Sequence, residues 1–359
     1  MSVVSFLAPR LDEDQLERWH KFIAQSPNAH YLQDPTWAEV EREAGTQARR
    51  PYFFWCERDG SICLTALGVQ RRLPIPGRVF WEFENGPTVL EPEVLDEWLV
   101  WLLGTMGRET ARLSLQPAMQ LDQVGDEMET ILDERGFVRR RTAGIWATVV
   151  VDLSRDEDGI LASFRQQTRY TIKKSRARGV EVIVEDKPRG WSALVTLDAE
   201  MAARTPVRPI ETRFIETVSR IWLTGGSGGT VIVARHEGEP LAAALVIVYR
   251  STAHLRMMPT SRRHKDLPAS HLLLWEAMRW AKAQGCTEFD LDGYRPAARR
   301  DDPLWGVNLF KRGFAPNQET RKVVAVHDRV LSPLIVNSAT MVRRFQAWRR
   351  RTLGSGANW

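Results

Sequence analysis

A length of 359 residues is typical of two domains. With 43% hydrophobic residues and a formal net charge of only +5, the chain has enough apolar material for two packed cores, which excludes a disordered protein. The three cysteines form no Cys-x-x-Cys pair, and their odd number argues against a disulfide framework and for a reducing compartment. Residues 1–15 lack the apolar core of a signal peptide, and no run of 18 apolar residues occurs, so we expect a cytoplasmic, monomeric protein.

The first half alternates between the periodicities of helices and strands. Leu16, Trp19 and Ile23 share one helical face, and Asp59-Gly60 is a typical hairpin turn between two apolar runs. The predicted elements are a helix over 12–25, strands over 51–57, 62–70 and 79–83, a helix over 94–106, a strand over 111–115, a helix over 128–135 and a strand over 147–153.

The second half repeats this plan after a long predicted helix over 158–178, which Gly179 ends. The elements that follow are a strand over 180–184, helices over 191–203 and 211–223, strands over 230–235, 241–249 and 253–258, a helix over 269–284, a strand over 288–291, a short helix over 304–312, a strand over 322–326 and a helix over 333–351.

Two local similarities indicate an internal duplication. Residues 57–60 (Glu-Arg-Asp-Gly) resemble 235–238 (Arg-His-Glu-Gly), and 132–137 resemble 309–314, since both end in Arg-Gly-Phe. The order of the elements, with a helix after the central strands and a Gly-Phe near the end, resembles the acetyltransferase-like (GNAT) fold in tandem. This resemblance implies an α/β (α+β) chain of two GNAT domains with mixed sheets flanked by helices. The predicted limits are 1–150 for the first domain, 151–330 for the second and 331–359 for a C-terminal basic amphipathic helix.

That last helix combines an apolar stripe with flanking arginines. The stripe consists of Leu334, Ser338, Met341, Phe345 and Trp348. Such a helix can rest on an anionic membrane surface or dock on the protein's own core, and the sequence favours neither.

Four basic residues form one arc of the predicted helix over 158–178. Arg165, Arg169, Lys173 and Arg176 cover about 80° at 100° per residue. Guanidinium groups bind phosphate oxygens bidentately, so this rail suits a pyrophosphate or an RNA backbone. A solvated basic face is the alternative.

Several chemistries are disfavoured. Residues 262–270 contain no glycine and include Pro268, whereas an acetyl-CoA enzyme of this fold needs a glycine-rich turn there to cradle the pyrophosphate. The seven histidines show no metal-binding spacing, and no G-x-S-x-G motif occurs. We expect no metal and no cofactor.

Four passages together resemble the FemABX family of peptidyltransferases. They are 31–37 (Tyr-Leu-Gln followed by Trp37), 84–87 (Glu-Asn-Gly-Pro), the basic helix through 168–180, and 289–293 followed by Gly306 and 309–314 (Leu-Phe-Lys-Arg-Gly-Phe). The resemblance implies a tandem GNAT fold, aminoacyl-tRNA as the donor and a lipid-linked or UDP-linked muropeptide as the acceptor. Peripheral contact with the inner membrane surface is compatible with such an acceptor.

The resemblance also implies residue roles. Lys311 is the expected electrostatic catalyst, because a fixed ammonium stabilises the oxyanion of aminoacyl transfer. Apart from the resemblance, Asp290 and Asp292 lie near a strand end, and strand alternation predicts one shared face for their side chains. Asp292 is the candidate proton acceptor, with Asp290 as the alternative, and either carboxylate can instead hold Arg295 or a helix N-terminus. Phe310, Arg312, Arg262 and Arg263 are expected on the tRNA side. The acceptor side comprises Gln33, Trp37, Tyr294, Arg295 and the four cations Arg165, Arg169, Lys173 and Arg176.

The first half departs from the family pattern at Asn85, at Gln116 and at Glu39, where the family more often has arginine, an acidic residue and a basic residue. A more distant FemAB-like transferase is compatible with these departures. Two other classes also stay open. One is an acyl-CoA-dependent N-acyltransferase acting on a small amine, and the other is a non-enzymatic RNA-binding module.

Overall fold

The structure is a computed structural model that describes residues 3–45, 49–117, 123–140, 147–185, 187–204, 209–223, 228–264, 266–296, 298–302, 304–316, 321–339 and 341. The chain divides into two compact units. Unit 1 consists of Met1–Gly144 together with Val323–Trp359, and unit 2 is Ile145–Lys322.

Unit 1 has one mixed sheet in the order β1-β2-β3-β4-β6-β15-β7, with β5 paired to β3. Its strands are β1 (Val4–Ala8), β2 (Arg49–Arg58), β3 (Ser61–Arg72), β4 (Val79–Phe83), β5 (Thr88–Val89), β6 (Thr110–Leu115), β7 (Val138–Arg139) and β15 (His327–Val330). Its helices are α1 (Glu13–Gln25), a 3₁₀ turn (Tyr31–Gln33), α2 (Pro35–Ala44), α3 (Pro92–Thr105) and α4 (Gln123–Glu134), and residues 333–339 are also helical.

Unit 2 has a second mixed sheet in the order β14-β8-β13-β12-β11-β10-β9. Its strands are β8 (Ala147–Asp152), β9 (Glu181–Val184), β10 (Gly229–His236), β11 (Glu239–Tyr249), β12 (Thr252–Met257), β13 (Glu288–Tyr294) and β14 (Arg321–Lys322). Its helices are α5 (Glu157–Ser163), α6 (Gln166–Ala177), α7 (Lys187–Ala202), α8 (Thr212–Val218) with a π turn (Ser219–Leu223), α9 (Ala269–Ala283) and α10 (Trp305–Phe314).

The two units share a plan. Each sheet contains a hairpin, β2–β3 or β10–β11, whose turn residues have positive φ: 52° and 76° at Asp59 and Gly60, and 51° and 81° at Glu237 and Gly238. Positive φ at both central residues is the geometry of a type I′ turn. Among the described strands each sheet contains one parallel pair, β4–β6 and β12–β13, and a helix (α3 or α9) connects its strands. The predicted tandem α/β plan is therefore observed.

Both sheets pack on apolar helices. In unit 1, α3 and α4 cover the face of the sheet that includes Phe54 and Phe83, and the fully buried Trp98 of α3 meets both rings edge-on. In unit 2, the core lies between α9 and the sheet, and it contains Phe164, Phe289 and Phe314 among others. Burial of aromatic rings of this size supplies much of the stability of such small sheets.

The parallel pair in unit 2 separates before its strands end. The register of β12 with β13 runs from Thr252 opposite Glu288 to His254 opposite Asp290 and then stops, although β12 continues to Met257 and β13 to Tyr294. On its other side, β13 has an irregularity against β8 between Asp290 and Gly293. The carboxyl half of β13 is thus freed from β12, and its backbone groups can bind other partners.

Two predictions are corrected here. The helix predicted over 158–178 is two helices, α5 and α6, because the ring of Phe164 turns into the core and meets Trp275 and Phe314 edge-on. Second, the second domain was expected to extend to residue 330, but β15 (His327–Val330) pairs with β6 and belongs to unit 1. Residues 342–351 of the predicted C-terminal helix lie outside the described residues.

Gly68 in β3 provides a test of core packing in unit 1. A β-carbon at this position would lie 2.6 Å from Phe83 and 2.8 Å from Phe54. Gly68→Ala should therefore lower the free energy of unfolding by about 1–3 kcal/mol. Gly104→Ala on α3 meets nothing within 4 Å and should raise it by up to about 1 kcal/mol. Urea unfolding measures both, and equal midpoints for the two variants would contradict the packing described.

Candidate functional site

Lys311 lies where the carboxyl half of β13 is free of β12. It extends from α10, and its Nζ donates to the carbonyl oxygens of Asp292 (2.9 Å) and Gly293 (2.7 Å). Burial lowers the pKa of Lys311, while the carboxylates of Asp292 and Asp290 act in the opposite direction. The side chain is thus a fixed and partly desolvated ammonium, as an electrostatic catalyst requires.

The two carboxylates beside Lys311 have different environments. Asp290 Oδ1 accepts from the hydroxyl of Thr148 and from the backbone N–H of Asp292, at 2.7 Å. Burial raises the pKa of Asp290, and the neighbouring His254 opposes that rise. Asp292 is exposed and has a φ of 57°. Strand alternation predicted one shared face for the two side chains, but the left-handed residue at the bulge breaks that alternation.

A small aromatic cluster forms beside Lys311. The ring of Phe310 is half-buried and contacts His271 on α9 (centroids 4.8 Å apart) and Phe314 (5.4 Å). Burial lowers the pKa of His271 to about 4, and among the described residues its Nδ1 has no hydrogen-bond partner. Phe310 is therefore held by packing and keeps part of its surface accessible.

A cavity of about 250 Å³ adjoins the amino end of α9. Polar side chains dominate one part of its wall, and Arg262 is among them and exposed. The lining residues are Leu241, Thr260, Ser261, Arg262, His264, Leu267, Pro268, Ala269 and Ser270. Arg263 instead forms ion pairs with Glu200 (3.3 Å) and Glu239 (3.7 Å), so these two adjacent arginines, both predicted on the tRNA side, differ in availability.

The predicted basic rail is interrupted. Arg165 precedes α6, and the guanidinium of Arg169 donates to the carbonyls of Ala162 and Phe164, so it caps α5. Arg176 pairs with Glu276 at 2.5 Å. Arg165 and Lys173 are exposed and remain the candidates for contact with phosphate.

Three residues predicted to bind the tRNA or the acceptor make contacts within unit 2: Tyr294, Arg295 and Arg312. Arg295 pairs with Asp302 (3.0 Å), and its backbone carbonyl accepts from the Asn308 amide (2.7 Å). Arg312 donates to the carbonyl of Pro316 at 2.9 Å. Tyr294 is half-buried and packs against the core of unit 2. These groups shape the turn that leads into α10 and the end of that helix.

In unit 1, Gln33 and Trp37 are buried, at 1% and 3% exposure. The Gln33 amide donates to the carbonyls of Glu84 (2.8 Å) and Leu67 (3.3 Å) and accepts from the Leu67 N–H (2.7 Å). Trp37 meets Tyr31 edge-on at 5.2 Å. The expected direct contact of Gln33 and Trp37 with an acceptor is corrected, because neither side chain presents a surface to one.

Sequence reasoning missed three residues of this site: His254, His271 and Thr148. Each lies on a different element from Lys311, and each is brought to it by β-sheet pairing or helix packing. In the part of the chain that the structure describes, no group of acidic, histidine and cysteine side chains is arranged to hold a metal ion. Nor does any described helix combine the length and apolar character needed to span a membrane.

Comparisons with known proteins agree with this architecture. The sequence model of a family described as acetyltransferase (GNAT) domain matches residues 162–303. A Weissella viridescens protein named UDP-N-acetylmuramoylpentapeptide-lysine N(6)-alanyltransferase is 24% identical over 338 residues, which cover 90% of this chain and 95% of that one. The crystal structure of FemX has a TM-score of 0.75 at 15% identity and covers 94% of this chain and 99% of its own.

A tandem GNAT protein from the clavulanic acid biosynthesis pathway has a TM-score of 0.59 at 12% identity, covering 92% of this chain and 99% of that one. The family match and the similarity to an alanyltransferase make this protein a transferase of the acyl or aminoacyl class, and its fold has two GNAT-type units. Within that class the chain is similar to the Weissella viridescens alanyltransferase in sequence and to FemX in fold, which confirms the resemblance found in its sequence.

The depressed pKa of His271 predicts an acid-dependent loss of stability. A histidine has a pKa near 6.5 in an unfolded chain, whereas the pKa of His271 in the folded protein is about 4. Between these two pH values the unfolded state binds more protons than the folded state, so a fall in pH favours unfolding. Lowering the pH from 7.5 to 5 should therefore reduce the free energy of unfolding by roughly 2 kcal/mol more in the wild type than in His271→Phe. Chemical unfolding at both pH values measures this difference, and equal losses in the two proteins would exclude it.

Gln33→Ala should destabilise unit 1 because it leaves the Leu67 N–H and the Glu84 carbonyl without their partner. The expected loss is about 2–4 kcal/mol, from two buried backbone groups. Gln25→Ala, an exposed change on α1, should stay within about 0.5 kcal/mol of the wild type. Thermal unfolding of the three proteins compares them, and similar losses in both variants would show that the buried amide has no special role.

Proposed function

We propose that the protein transfers an amino acid from aminoacyl-tRNA to the side-chain amine of the stem peptide in a peptidoglycan precursor. The observation that supports this most is the Lys311 ammonium, held by two carbonyls where β13 is free of β12. The alanyltransferase of Weissella viridescens, which matches this chain over nearly its whole length, is named for transfer to such a precursor.

The chemistry requires little more than a placed cation. The ester of an aminoacyl-tRNA is already activated, so attack by an amine needs orientation, a proton acceptor and stabilisation of the tetrahedral oxyanion. An ammonium has three donors, and the bonds from Lys311 to described atoms engage two of them. In this proposal the third donor meets the oxyanion.

The amine proton goes to Asp292 in this mechanism. Its carboxylate is exposed beside the ammonium, whereas one carboxylate oxygen of Asp290 already accepts two hydrogen bonds. An accessible carboxylate can take the proton from the attacking amine and pass it to the ribose oxygen of the tRNA, which leaves when the C–O bond of the tetrahedral intermediate breaks. Asp292 therefore combines this role with its electrostatic support of Lys311.

The tRNA side of the site is proposed around Phe310 and Arg262. The half-buried ring of Phe310 offers a surface on which the terminal adenine can stack. The exposed guanidinium of Arg262 and the polar wall of the neighbouring cavity suit the phosphates that precede it. Arg165 and Lys173, both exposed, are proposed to bind the phosphates of the acceptor.

The acceptor is proposed to be a UDP-linked or lipid-linked muropeptide, reached in the cytoplasm. A lipid-linked acceptor would bring the protein to the inner membrane surface as a peripheral monomer. Both acceptors have the same stem peptide and differ in whether it is linked to UDP or to a lipid. A transfer assay that offers both acceptors therefore shows which of them the protein uses.

An acyl-CoA-dependent N-acyltransferase is the second candidate, and the match to the GNAT domain family favours it. Against it, residues 262–270 contain no glycine, and Pro268 removes one backbone donor from the turn before α9. Isothermal calorimetry with acetyl-CoA separates the two, since micromolar binding would support the acyl-CoA reading. Equal binding of charged and uncharged tRNA without transfer would instead indicate an RNA-binding module.

The decisive experiment incubates the protein with labelled aminoacyl-tRNAs and each muropeptide and measures the mass increment of the acceptor. Lys311→Met should lower the turnover number roughly 10²–10³-fold while the protein stays folded. Lys21→Met, which removes an exposed ammonium from α1, controls for the loss of one positive charge. Wild-type turnover in Lys311→Met would remove the role assigned to this residue.

A further inference from the structure

The carbonyls that bind Lys311 belong to an irregular stretch of backbone. Between Asp290 and Gly293 the pairing of β13 with β8 shifts, and Asp292 has a φ of 57°. A residue other than glycine is disfavoured at positive φ unless its surroundings hold it there. The bulge that presents the two carbonyls therefore needs a partner that stabilises it.

Asp290 is that partner in the structure. Its Oδ1 accepts the backbone N–H of Asp292 at 2.7 Å, which fixes the residue at positive φ. The same oxygen accepts the hydroxyl of Thr148 on β8, so the carboxylate is anchored to the neighbouring strand. Asp290 therefore connects strand β8 to the backbone of Asp292. The carbonyls of Asp292 and Gly293 in turn bind the Lys311 ammonium.

We propose that Asp290 is the positioning residue for Lys311, acting through its hydrogen bond to the Asp292 N–H and through the carbonyls of Asp292 and Gly293. Its contribution is the acceptor oxygen and not its negative charge, so it complements Asp292, whose carboxylate acts on the substrate. The consequence for turnover rests on the transfer function proposed for Lys311, whereas the positioning itself can be measured without any substrate.

Charge and geometry have opposite effects on the pKa of Lys311, which makes them separable. Loss of the Asp290 charge at fixed geometry would lower this pKa, because the carboxylate favours the ammonium. Loss of the fixed position would raise it toward about 10.4, because the amine would return to water. The charged and polar groups that surround Asp290 and Lys311 come from four strands. They are Thr148 on β8, His254 on β12, Glu288 and Asp292 on β13, and Arg321 on β14.

The test is the pH dependence of amine acylation, read at Lys311 by peptide mass spectrometry with the exposed Lys21 as an internal reference. Asp290→Ala should raise the midpoint for Lys311 above that of the wild type. Asp290→Asn keeps an acceptor oxygen, so its midpoint should equal that of the wild type or fall below it. Asp152→Ala, which removes a carboxylate from the far end of β8, is the control for charge loss.

A lower midpoint in Asp290→Ala would overturn the proposal in favour of a purely electrostatic role. So would a midpoint in Asp290→Asn that rises as far as in the alanine variant. If Asp290→Ala does not fold, Thr148→Val removes the other donor to the same oxygen. The proposal then requires a higher midpoint in that variant, and an unchanged one contradicts it.

Turnover supplies the second readout. Asp290→Ala should lower kcat roughly 10-fold to 100-fold with KM for the tRNA nearly unchanged, and Asp290→Asn should recover most of kcat. A general loss of folding would not be rescued by asparagine in this selective way. If no protein in the series transfers an amino acid while the acylation midpoints shift as expected, the transfer function fails and the positioning role stands.

Discussion

The site depends on the capture of one ammonium by two backbone carbonyls. Lys311 Nζ lies 2.9 Å and 2.7 Å from the carbonyl oxygens of Asp292 and Gly293, and these bonds hold a cation that burial disfavours. Carbonyl oxygens stabilise the charge without neutralising it, so the ammonium keeps its field for a substrate. A carboxylate in direct contact would instead form an ion pair and cancel much of that field.

The sheet makes these carbonyls available. In a regular strand both would pair with a neighbour, but β12 leaves β13 after Asp290 and the bulge shifts the register with β8. The two strands that separate, β12 and β13, are parallel, and α/β sheets commonly bind ligands at the carboxyl ends of such strands. Helix α10 then brings Lys311 to the vacated edge, with the half-buried Phe310 next to it in sequence.

Arginines in this protein divide into structural and available groups. Arg169 caps α5, Arg176 pairs with Glu276 and Arg295 pairs with Asp302, so three predicted ligand contacts are used within the fold. Arg165 and Arg262 are exposed. The number of basic residues in a stretch of sequence thus overestimates the positive charge available to a polyanion, because an arginine that is paired within the fold is less available to it.

The sequence by itself determined the alternation of strands and helices and the two hairpin turns at Asp59-Gly60 and Glu237-Gly238, because periodicity and turn chemistry depend on near neighbours. The choice of Lys311 came from the resemblance to the FemABX family. The start of α2 is also marked in the sequence, by the N-cap Asp34 and by Pro35 at the first helical position. The tertiary structure alone decided the break at Phe164, the burial of Gln33 and the different environments of Asp290 and Asp292. Their partners lie far along the chain: Glu84 is 51 residues from Gln33, and Thr148 is 142 residues from Asp290. Such contacts arise only after the sheet has paired and the helices have packed on it.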